Sequence, residues 1–199
     1  MGFFCSGGPV LAGSGRKAVK WTKTHHSGYD QPEYGQEQDF GDALFPDLPP
    51  AKRLEVMEAC MEYENQYLED HPGILYPQVA EVLQQLSWKY KLFIVSNCQK
   101  GYIEVLMRSC NLEEYITDIE CYGNTGLSKA DNISMVIQRN HLDQSFYVGD
   151  TAMDAEAAAG AGIPFVHAAY GFGQVNGAEA VIREFGELLQ LSKKLLGED

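Results

Sequence analysis

The sequence has few basic residues for its length, and this shortage excludes one large class of partners. Of its 199 residues, 15 are Lys or Arg and 28 are Asp or Glu, which gives a formal net charge of -13 at pH 7. A surface with this surplus of negative charge repels a phosphate backbone and lacks the basic stripe that nucleic-acid binding needs. We therefore expect no DNA or RNA partner.

The sequence also lacks long apolar runs and closely paired cysteines. No stretch approaches the roughly 20 apolar residues needed to cross a bilayer, so we expect no membrane partner. The chain has five cysteines, an odd number, and no C-x-x-C pair of the kind that binds zinc or performs dithiol chemistry. Such cysteines are typical of reduced thiols, which favours a cytoplasmic location.

The sequence does have the composition of an α/β protein and its alternation of strand-like and helical segments. Hydrophobic residues make up 45% of the chain, enough to bury a core without disulfides. From about residue 78 onward, short apolar runs alternate with segments of helical period, which predicts a parallel sheet flanked by helices. The predicted strands lie at residues 92–95, 118–121, 145–148 and 164–167, and the predicted helices at 79–86, 101–110, 130–140, 152–161 and 178–196.

The first part of the chain has a different pattern. Residues 14–70 contain no convincing strand, whereas Leu54, Met57 and Met61 recur at helical spacing, as do apolar residues near 18–21. We predict a Rossmann-like parallel sheet with a small helical domain inserted near its start. Residues 1–13 would form the first core strand and loop, residues 14–75 the helical domain, and residues 76–199 the α/β core.

Polar side chains follow two of the predicted strands. Ser96 and Asn97 come directly after the first of these strands, and Asp150 follows the strand that ends near residue 148, with Asp154 one helical turn further on. Ligands of open parallel sheets bind outside the carboxyl ends of the strands, and two carboxylates at this spacing can approach one hard cation. Lys129 begins a predicted helix and could direct its ammonium group toward an anion there.

Each of these elements alone has a purely structural interpretation. A Ser-Asn or Gly-Asp pair after a strand is most often a turn or a helix cap, and a single lysine at a helix start is usually a surface residue. The elements gain meaning from their order, which is FIVSN at 93–97, GLSKADNI at 126–133 and YVGDTAMDAEAAAGAG at 147–162. In this order they resemble the second, third and fourth motifs of the haloacid dehalogenase superfamily, in particular its phosphoglycolate-phosphatase-like branch.

The resemblance extends from about residue 74 to about residue 175, since ILYPQVAEVLQQL and AGIPFVHAAYGFG also look like family segments. It implies that Ser96, Asn97 and Lys129 hold the transferring phosphoryl group, with Lys129 as a catalytic residue. It further implies that Asp150 and Asp154 hold Mg²⁺. The helical domain at 14–75 suits the family's cap, which closes over a small phosphorylated metabolite.

The family's first motif, DxDGT, is absent from the sequence. Aligning FFCSGGPVLAGS with the usual F-D-x-D-G-T-L-x-D-S puts Cys5 at the nucleophile position and Gly7 at the vacated acid/base position. A phosphoryl acceptor normally needs an oxygen nucleophile beside the metal. If Cys5 faced Asp150 and Asp154, their negative charge would keep the thiol protonated, so we expect an inert thiol, with a Cys5 nucleophile as the alternative.

Three hypotheses follow for the activity. The first is a magnesium-dependent phosphatase of a small phosphomonoester, impaired in this chain because the nucleophilic Asp is absent. The second is a catalytically inactive protein of this fold that binds a ligand or partner. The third is a dehalogenase, which is weaker because dehalogenases use no metal while GDTAMD keeps both acids. For the assembly we expect a monomer or a homodimer.

Overall fold

The computed structural model describes residues 2–6, 42 and 44–197 of the chain. Six strands lie in this part, namely β1 (Gly2–Ser6), β2 (Leu92–Ser96), β3 (Asp118–Cys121), β4 (Ser145–Gly149), β5 (Phe165–Ala168) and β6 (Ala180–Ile182). The α-helices here are α1 (Pro50–Asp70), α2 (Val79–Ser87), α3 (Tyr102–Ser109), α4 (Tyr122–Thr125), α5 (Lys129–Arg139), α6 (Ala152–Gly160) and α7 (Leu188–Leu195). Short 3₁₀ turns cover Glu113–Tyr115 and Phe185–Glu187.

The six strands form one sheet in the order β3-β2-β1-β4-β5-β6. Of its five strand pairs, two involve the central strand β1, and the other three, β2–β3, β4–β5 and β5–β6, are parallel. Helices cover both faces. The architecture is therefore the α/β, Rossmann-like sheet flanked by helices that the sequence predicts.

The central strand differs from the expected direction. β1 pairs antiparallel with both β2 and β4, with Cys5 opposite Leu92 on one side and Phe146 on the other. A central strand can hydrogen-bond to both of its neighbours whether it runs parallel or antiparallel to them. The backbone groups of β2 and β4 that face β1 therefore have hydrogen-bond partners. Reversing the strand exchanges its two ends, however, and this changes which of its residues lie near the candidate site.

The two faces of the sheet bury separate apolar clusters. Along β2, Leu92 and Ile94 pack into the cluster with α2, α3 and α7, while Phe93 and Val95 pack into the cluster with α5 and α6. A strand buried on both faces has a nearly continuous apolar run rather than an alternating one. The sequence LFIV shows this run, and all four side chains are fully buried.

Most of the predicted elements are confirmed, including β3 with the predicted bounds and the helix through Leu54, Met57 and Met61, which is α1. The single helix predicted over residues 178–196 is wrong in its first half. There the chain forms β6, which adds to the sheet edge by pairing Val166 with Ala180, and only α7 is helical. The helix predicted near residues 18–21 lies outside the described residues, and the domain boundaries stay predictions.

The longest helix, α1, has 21 residues but is polar over much of its surface. Across the described part of the chain, none of the helices combines the length and apolarity that a membrane span requires.

Candidate active site

The carboxyl ends of β2 and β4 lie at the same edge of the sheet. Ser96, the last residue of β2, pairs with Cys121 at the end of β3, and Gly149 at the end of β4 pairs with His167 of β5. The Ser96 side chain is buried, whereas Asn97, the next residue, is exposed to solvent. The structure thus brings the predicted hydroxyl and amide to the edge from which Asp150 leaves the sheet.

Asp154 is held by the start of helix α6. Thr151 is the N-cap, and its hydroxyl accepts a hydrogen bond from the Asp154 backbone N–H at 3.2 Å, which is one half of a capping box. In return, Oδ2 of Asp154 accepts hydrogen bonds from the Thr151 backbone N–H at 3.1 Å and hydroxyl at 2.7 Å. It also accepts one from the Asp150 backbone N–H at 3.2 Å. These contacts fix the Asp154 carboxylate at the end of β4.

The other oxygen of Asp154 binds Lys129 in a buried ion pair. Lys129 is the first residue of α5, after the N-cap Ser128, and its Nζ donates to Asp154 Oδ1 at 2.6 Å. The exposed fractions of the two side chains are 9% and 1%. Burial disfavours the charged form of Asp154, but the positive charge of Lys129 and the hydrogen bonds outweigh it and lower the pKa of Asp154 to about 2. The Asp154 carboxylate therefore stays charged at neutral pH.

Tyr147 connects this ion pair to strand β2. Its hydroxyl lies 3.1 Å from the backbone carbonyl oxygen of Val95 and 3.4 Å from Asp154 Oδ1, and it can donate a hydrogen bond to either oxygen. Burial, with the nearby charge of Asp154, raises the pKa of Tyr147 well above its ordinary value. The phenol accordingly stays protonated and remains a donor.

The loop after β5 closes over Asp150. The backbone N–H of Phe172 donates to Asp150 Oδ2 at 2.9 Å, and that of Gly173 donates to the Asp150 carbonyl at 3.0 Å. A Cβ on Gly171 would lie 2.2 Å from the Cβ of Asp150, so this approach is possible only with glycine there. The loop leaves Asp150 Oδ1 without a hydrogen-bond donor from any residue that the structure describes.

The two carboxylates differ in their fitness for a metal ion. Asp150 has one oxygen that is not engaged by described residues, whereas both oxygens of Asp154 already accept hydrogen bonds. Among the residues that the structure describes, no cluster of three or more His, Cys, Asp or Glu could hold a metal. Mg²⁺ is commonly bound through one or two carboxylates, with waters and substrate phosphate supplying the other ligands. The donor set fits that mode, in which Asp150 would be a ligand, and the role of Asp154 as a second ligand stays a prediction.

Of the remaining two candidates, Cys5 and Gly7, the structure describes only the first. Because β1 runs antiparallel, Cys5 lies level with Leu92, the first residue of β2, and Phe146, the second residue of β4, at the edge opposite to Asp150. The expectation that Cys5 faces Asp150 assumed a parallel central strand, and the structure does not bring the two together. Gly7 lies outside the described residues.

Four residues that contribute to the site were not identified from the sequence. Thr151 carries a recognisable signal, since T-x-x-D before an apolar helix is a capping box. The glycines at 171 and 173 have a weaker one, because glycine after a buried strand often marks a close approach of backbone. Tyr147 has no local signal, since its hydroxyl reaches partners on β2 and α6 that only the fold brings near.

Comparison with known proteins identifies the family. A sequence model described as haloacid dehalogenase-like hydrolase matches residues 38–168. None of the curated proteins matches the sequence. Solved structures share the fold at low identity, and three of them illustrate the range.

A haloacid dehalogenase-like family hydrolase from Streptococcus pneumoniae is 19% identical with a TM-score of 0.63, over 76% of this chain and 75% of that one. A predicted phosphoglycolate phosphatase from Haemophilus somnus is 17% identical with a TM-score of 0.64, over 78% and 73%. The HAD-hydrolase YfnB from Bacillus subtilis, bound to magnesium, is 17% identical with a TM-score of 0.59, over 79% and 70%. Since the family match covers more than half of the sequence, and the fold agrees with it, this chain belongs to the haloacid dehalogenase-like hydrolases.

Proposed function

We propose that this chain binds the phosphoryl group of a small phosphomonoester together with Mg²⁺, as a phosphatase of its family, and that its own hydrolytic step is impaired. The observation that carries the proposal is the buried Lys129–Asp154 ion pair beside Asp150, at the carboxyl edge of the sheet. Burying two charges costs free energy unless they are well paired. A cation held in place in this way is available to an anionic ligand.

Three side chains would contact the phosphoryl oxygens. An ammonium group has three donors, and the one that Lys129 gives to Asp154 leaves others for a ligand. Ser96 contributes a hydroxyl and Asn97 an amide at the end of the neighbouring strand. Asp154 has a positioning role in this proposal, because it holds the Lys129 side chain rather than touching the ligand.

Asp150 would hold the magnesium ion through the oxygen that the loop after β5 leaves open. When bound, the ion would neutralise charge on the phosphoryl oxygens and bring them close to the carboxylate. The name of the magnesium-bound Bacillus subtilis structure supports a divalent ion in this fold, and that of the Haemophilus somnus structure supports a small phosphomonoester of the phosphoglycolate kind.

The impairment follows from the missing nucleophile. The first acidic residue of the chain is Asp30, so no carboxylate accompanies the first strand. Cys5 is at the opposite edge of the sheet from Asp150. Without a nucleophile in line with the phosphorus, positioning and electrostatics alone accelerate hydrolysis far less than the complete set of groups does.

Titration calorimetry with Mg²⁺ and inorganic phosphate tests the binding. We expect phosphate to bind more tightly when Mg²⁺ is present. Asp150→Asn should weaken magnesium binding by about 10-fold or more, and Lys129→Ala should weaken phosphate binding by a comparable factor because a charge-assisted contact is lost. Lys91→Ala and Asp143→Asn change the same kinds of residue at the opposite edge and should leave both affinities unchanged. Equal behaviour of the site and control variants would refute the assignment.

Turnover of an aryl phosphate tests the impairment. The parent chain should hydrolyse it at or near the background rate even with saturating Mg²⁺, because the nucleophile contributes several orders of magnitude. Binding without turnover would also distinguish this proposal from the alternative in which the protein keeps the fold but no longer binds phosphate. Magnesium-dependent turnover that Asp150→Asn abolishes would show that the chain supplies a nucleophile from elsewhere.

A further inference from the structure

Two cysteines meet at the same edge of the sheet. Cys98 lies in the loop after β2, two residues beyond Ser96, and Cys121 is the last residue of β3 and pairs with Ser96 across the strands. The loop is fixed against the end of β3, because the Gly123 backbone N–H donates to the Cys98 carbonyl at 3.0 Å. The Cys121 sulfur lies 3.8 Å from the carbonyl oxygen of Gln99. The segments that carry the two cysteines are therefore held together by backbone pairing and by this contact.

The packing here is tight enough to hold this geometry. A Cβ placed on Gly123 would lie 2.1 Å from the Lys100 backbone nitrogen, so only glycine lets the two segments approach. Adjacent strands lie about 4.8 Å apart, and disulfides join residues whose Cα atoms are roughly 4.4–6.8 Å apart. The Ser96–Cys121 pair and the hydrogen bond from Gly123 to the Cys98 carbonyl bring the loop that continues β2 close to the end of β3, as a disulfide between them requires.

The surroundings of the two thiols differ. The neighbouring Cys121 and Ser96 side chains stabilise negative charge on Cys98, which outweighs burial and lowers the pKa of Cys98. The neighbouring Cys98 and burial raise the pKa of Cys121. Cys98 accordingly has the character of an attacking thiolate, and Cys121 that of a thiol held beside it.

We propose that Cys98 and Cys121 are a redox-active dithiol, which a hydroperoxide converts into a disulfide between the loop after β2 and the end of β3. The Cys98 thiolate attacks one peroxide oxygen, the O–O bond breaks, and the other oxygen leaves as an alcohol or water. The Cys121 sulfur then attacks the resulting Cys98 sulfenic acid, the S–S bond forms, the S–O bond breaks, and water leaves with the Cys121 proton. Two thiols are oxidised and one peroxide is reduced.

The proposal concerns chemistry separate from phosphate binding, and it stands whether or not Ser96 holds a phosphoryl group. It also differs from the expectation, based on the absence of a C-x-x-C pair, that the chain performs no dithiol chemistry. Dithiols are usually recognised in sequence as C-x-x-C, whereas here 22 positions separate two cysteines that strand pairing brings together.

Peptide mapping of the full chain after treatment with hydrogen peroxide is the test. We expect a linked peptide that contains Cys98 and Cys121, with two thiols lost per chain, while Cys60 and Cys110 can still be alkylated. In Cys121→Ser, Cys98 should instead accumulate as a sulfenic acid that dimedone traps. In Cys98→Ser, no disulfide should form at Cys121, and Cys110→Ser should behave as the parent does.

Cys121 is buried, so its replacement could unfold the chain, and a measurement on the unaltered protein makes the test independent of that risk. Alkylation of Cys98 should persist to lower pH than alkylation of Cys110, whose pKa is raised by burial, and at neutral pH it should be at least about 10-fold faster. The proposal is overturned if peroxide oxidises Cys60 or Cys110 and leaves no Cys98–Cys121 link. It is equally overturned if Cys98 and Cys110 show the same pH profile.

Discussion

Asp154 is the side chain on which most of the candidate site depends. Its two oxygens connect Lys129 on α5, Tyr147 on β4 and the turn that begins α6. A carboxylate that accepts this many hydrogen bonds can stay charged in a buried setting, and each partner in turn is oriented by it. The residue is therefore the common anchor of three elements.

Because the pKa of Asp154 is lowered, the free energy of unfolding should fall at acid pH. Its pKa is about 2 in the folded chain against an ordinary value of 3.8, so the folded state binds this proton less readily than the unfolded state does. The resulting stabilisation is present above about pH 4 and is lost as the pH falls toward 2, and it amounts to about 2 kcal/mol. Urea unfolding at a series of pH values should show this loss in the parent and a smaller one in Asp154→Asn.

A double-mutant cycle measures the ion pair itself. Removing either partner leaves a buried charge unpaired, so Lys129→Met and Asp154→Asn should each lower the free energy of unfolding by about 3 kcal/mol or more. The double variant should lose less than the sum, with a coupling above about 1 kcal/mol. The half-exposed pair of Arg108 and Glu69 is the comparison, and its coupling should stay below about 1 kcal/mol. Similar couplings would contradict the anchoring role of Asp154.

At the scale of elements, the sequence predicts where strands and helices lie better than how they connect. The bounds of β3 and the start of α6 follow from local pattern, because apolar runs and caps act over a few residues. The strand β6 does not, because Ala180, Val181 and Ile182 suit either structure, and pairing with β5 decides between them. The direction of β1 is also hidden, since the apolar pattern of a buried strand is the same in both directions.

Engineered cysteines can test the direction of β1. Ser6 pairs with Ser145 at the start of β4, within the distance that a disulfide spans. In a Cys5→Ala background, Ser6→Cys with Ser145→Cys should therefore cross-link on mild oxidation, as seen by non-reducing mass spectrometry. Ser6→Cys with Ser96→Cys is the matched control and should not cross-link, because Ser96 ends β2 at the other edge. A parallel β1 would reverse these two outcomes.

The glycine loop that covers Asp150 gives a second prediction at this scale. An alanine at Gly171 would put its Cβ 2.2 Å from that of Asp150, so the loop must shift and the hydrogen bond from Phe172 to Asp150 should lengthen. We expect Gly171→Ala to lower the free energy of unfolding by about 1–3 kcal/mol, as measured by urea unfolding. Gly73→Ala is the control, because a Cβ there meets nothing within 4 Å. Equal stability of the two variants would contradict the close approach.

At the scale of the whole molecule, the geometry of the site depends on how the helices pack on the sheet, and no single sequence motif determines it. The resemblance predicts separate roles for Lys129, Asp150 and Asp154, but the ion pair joins residues that are 25 positions apart. Its existence depends on α5 and α6 packing side by side on one face of the sheet. Local sequence patterns identify the two residues of this ion pair, but they do not predict that the two side chains are in contact.

The net charge of -13 gives a prediction for the molecule as a whole. At low ionic strength the surplus carboxylates repel one another and weaken the compact state. Raising the salt concentration from about 0.02 M to about 0.5 M shortens the Debye length to a few ångströms and screens this repulsion, so the Tm at pH 7 should rise. Near pH 4.7, where the charge vanishes, calorimetry should find a much smaller rise. A fall in Tm with salt at pH 7 would show that attractive ion pairs dominate.

The reversed β1 also determines where anything fused ahead of this chain would go. Gly2 pairs with Val95, one residue before Ser96, so a peptide joined before Gly2 leaves the sheet at the edge that holds Asp150. A polyhistidine tag attached there would be tethered beside the candidate metal site, at an effective concentration in the millimolar range. Its imidazoles would compete for any divalent ion that the protein is tested with, whereas the same tag placed at the other terminus is not delivered to this edge by β1.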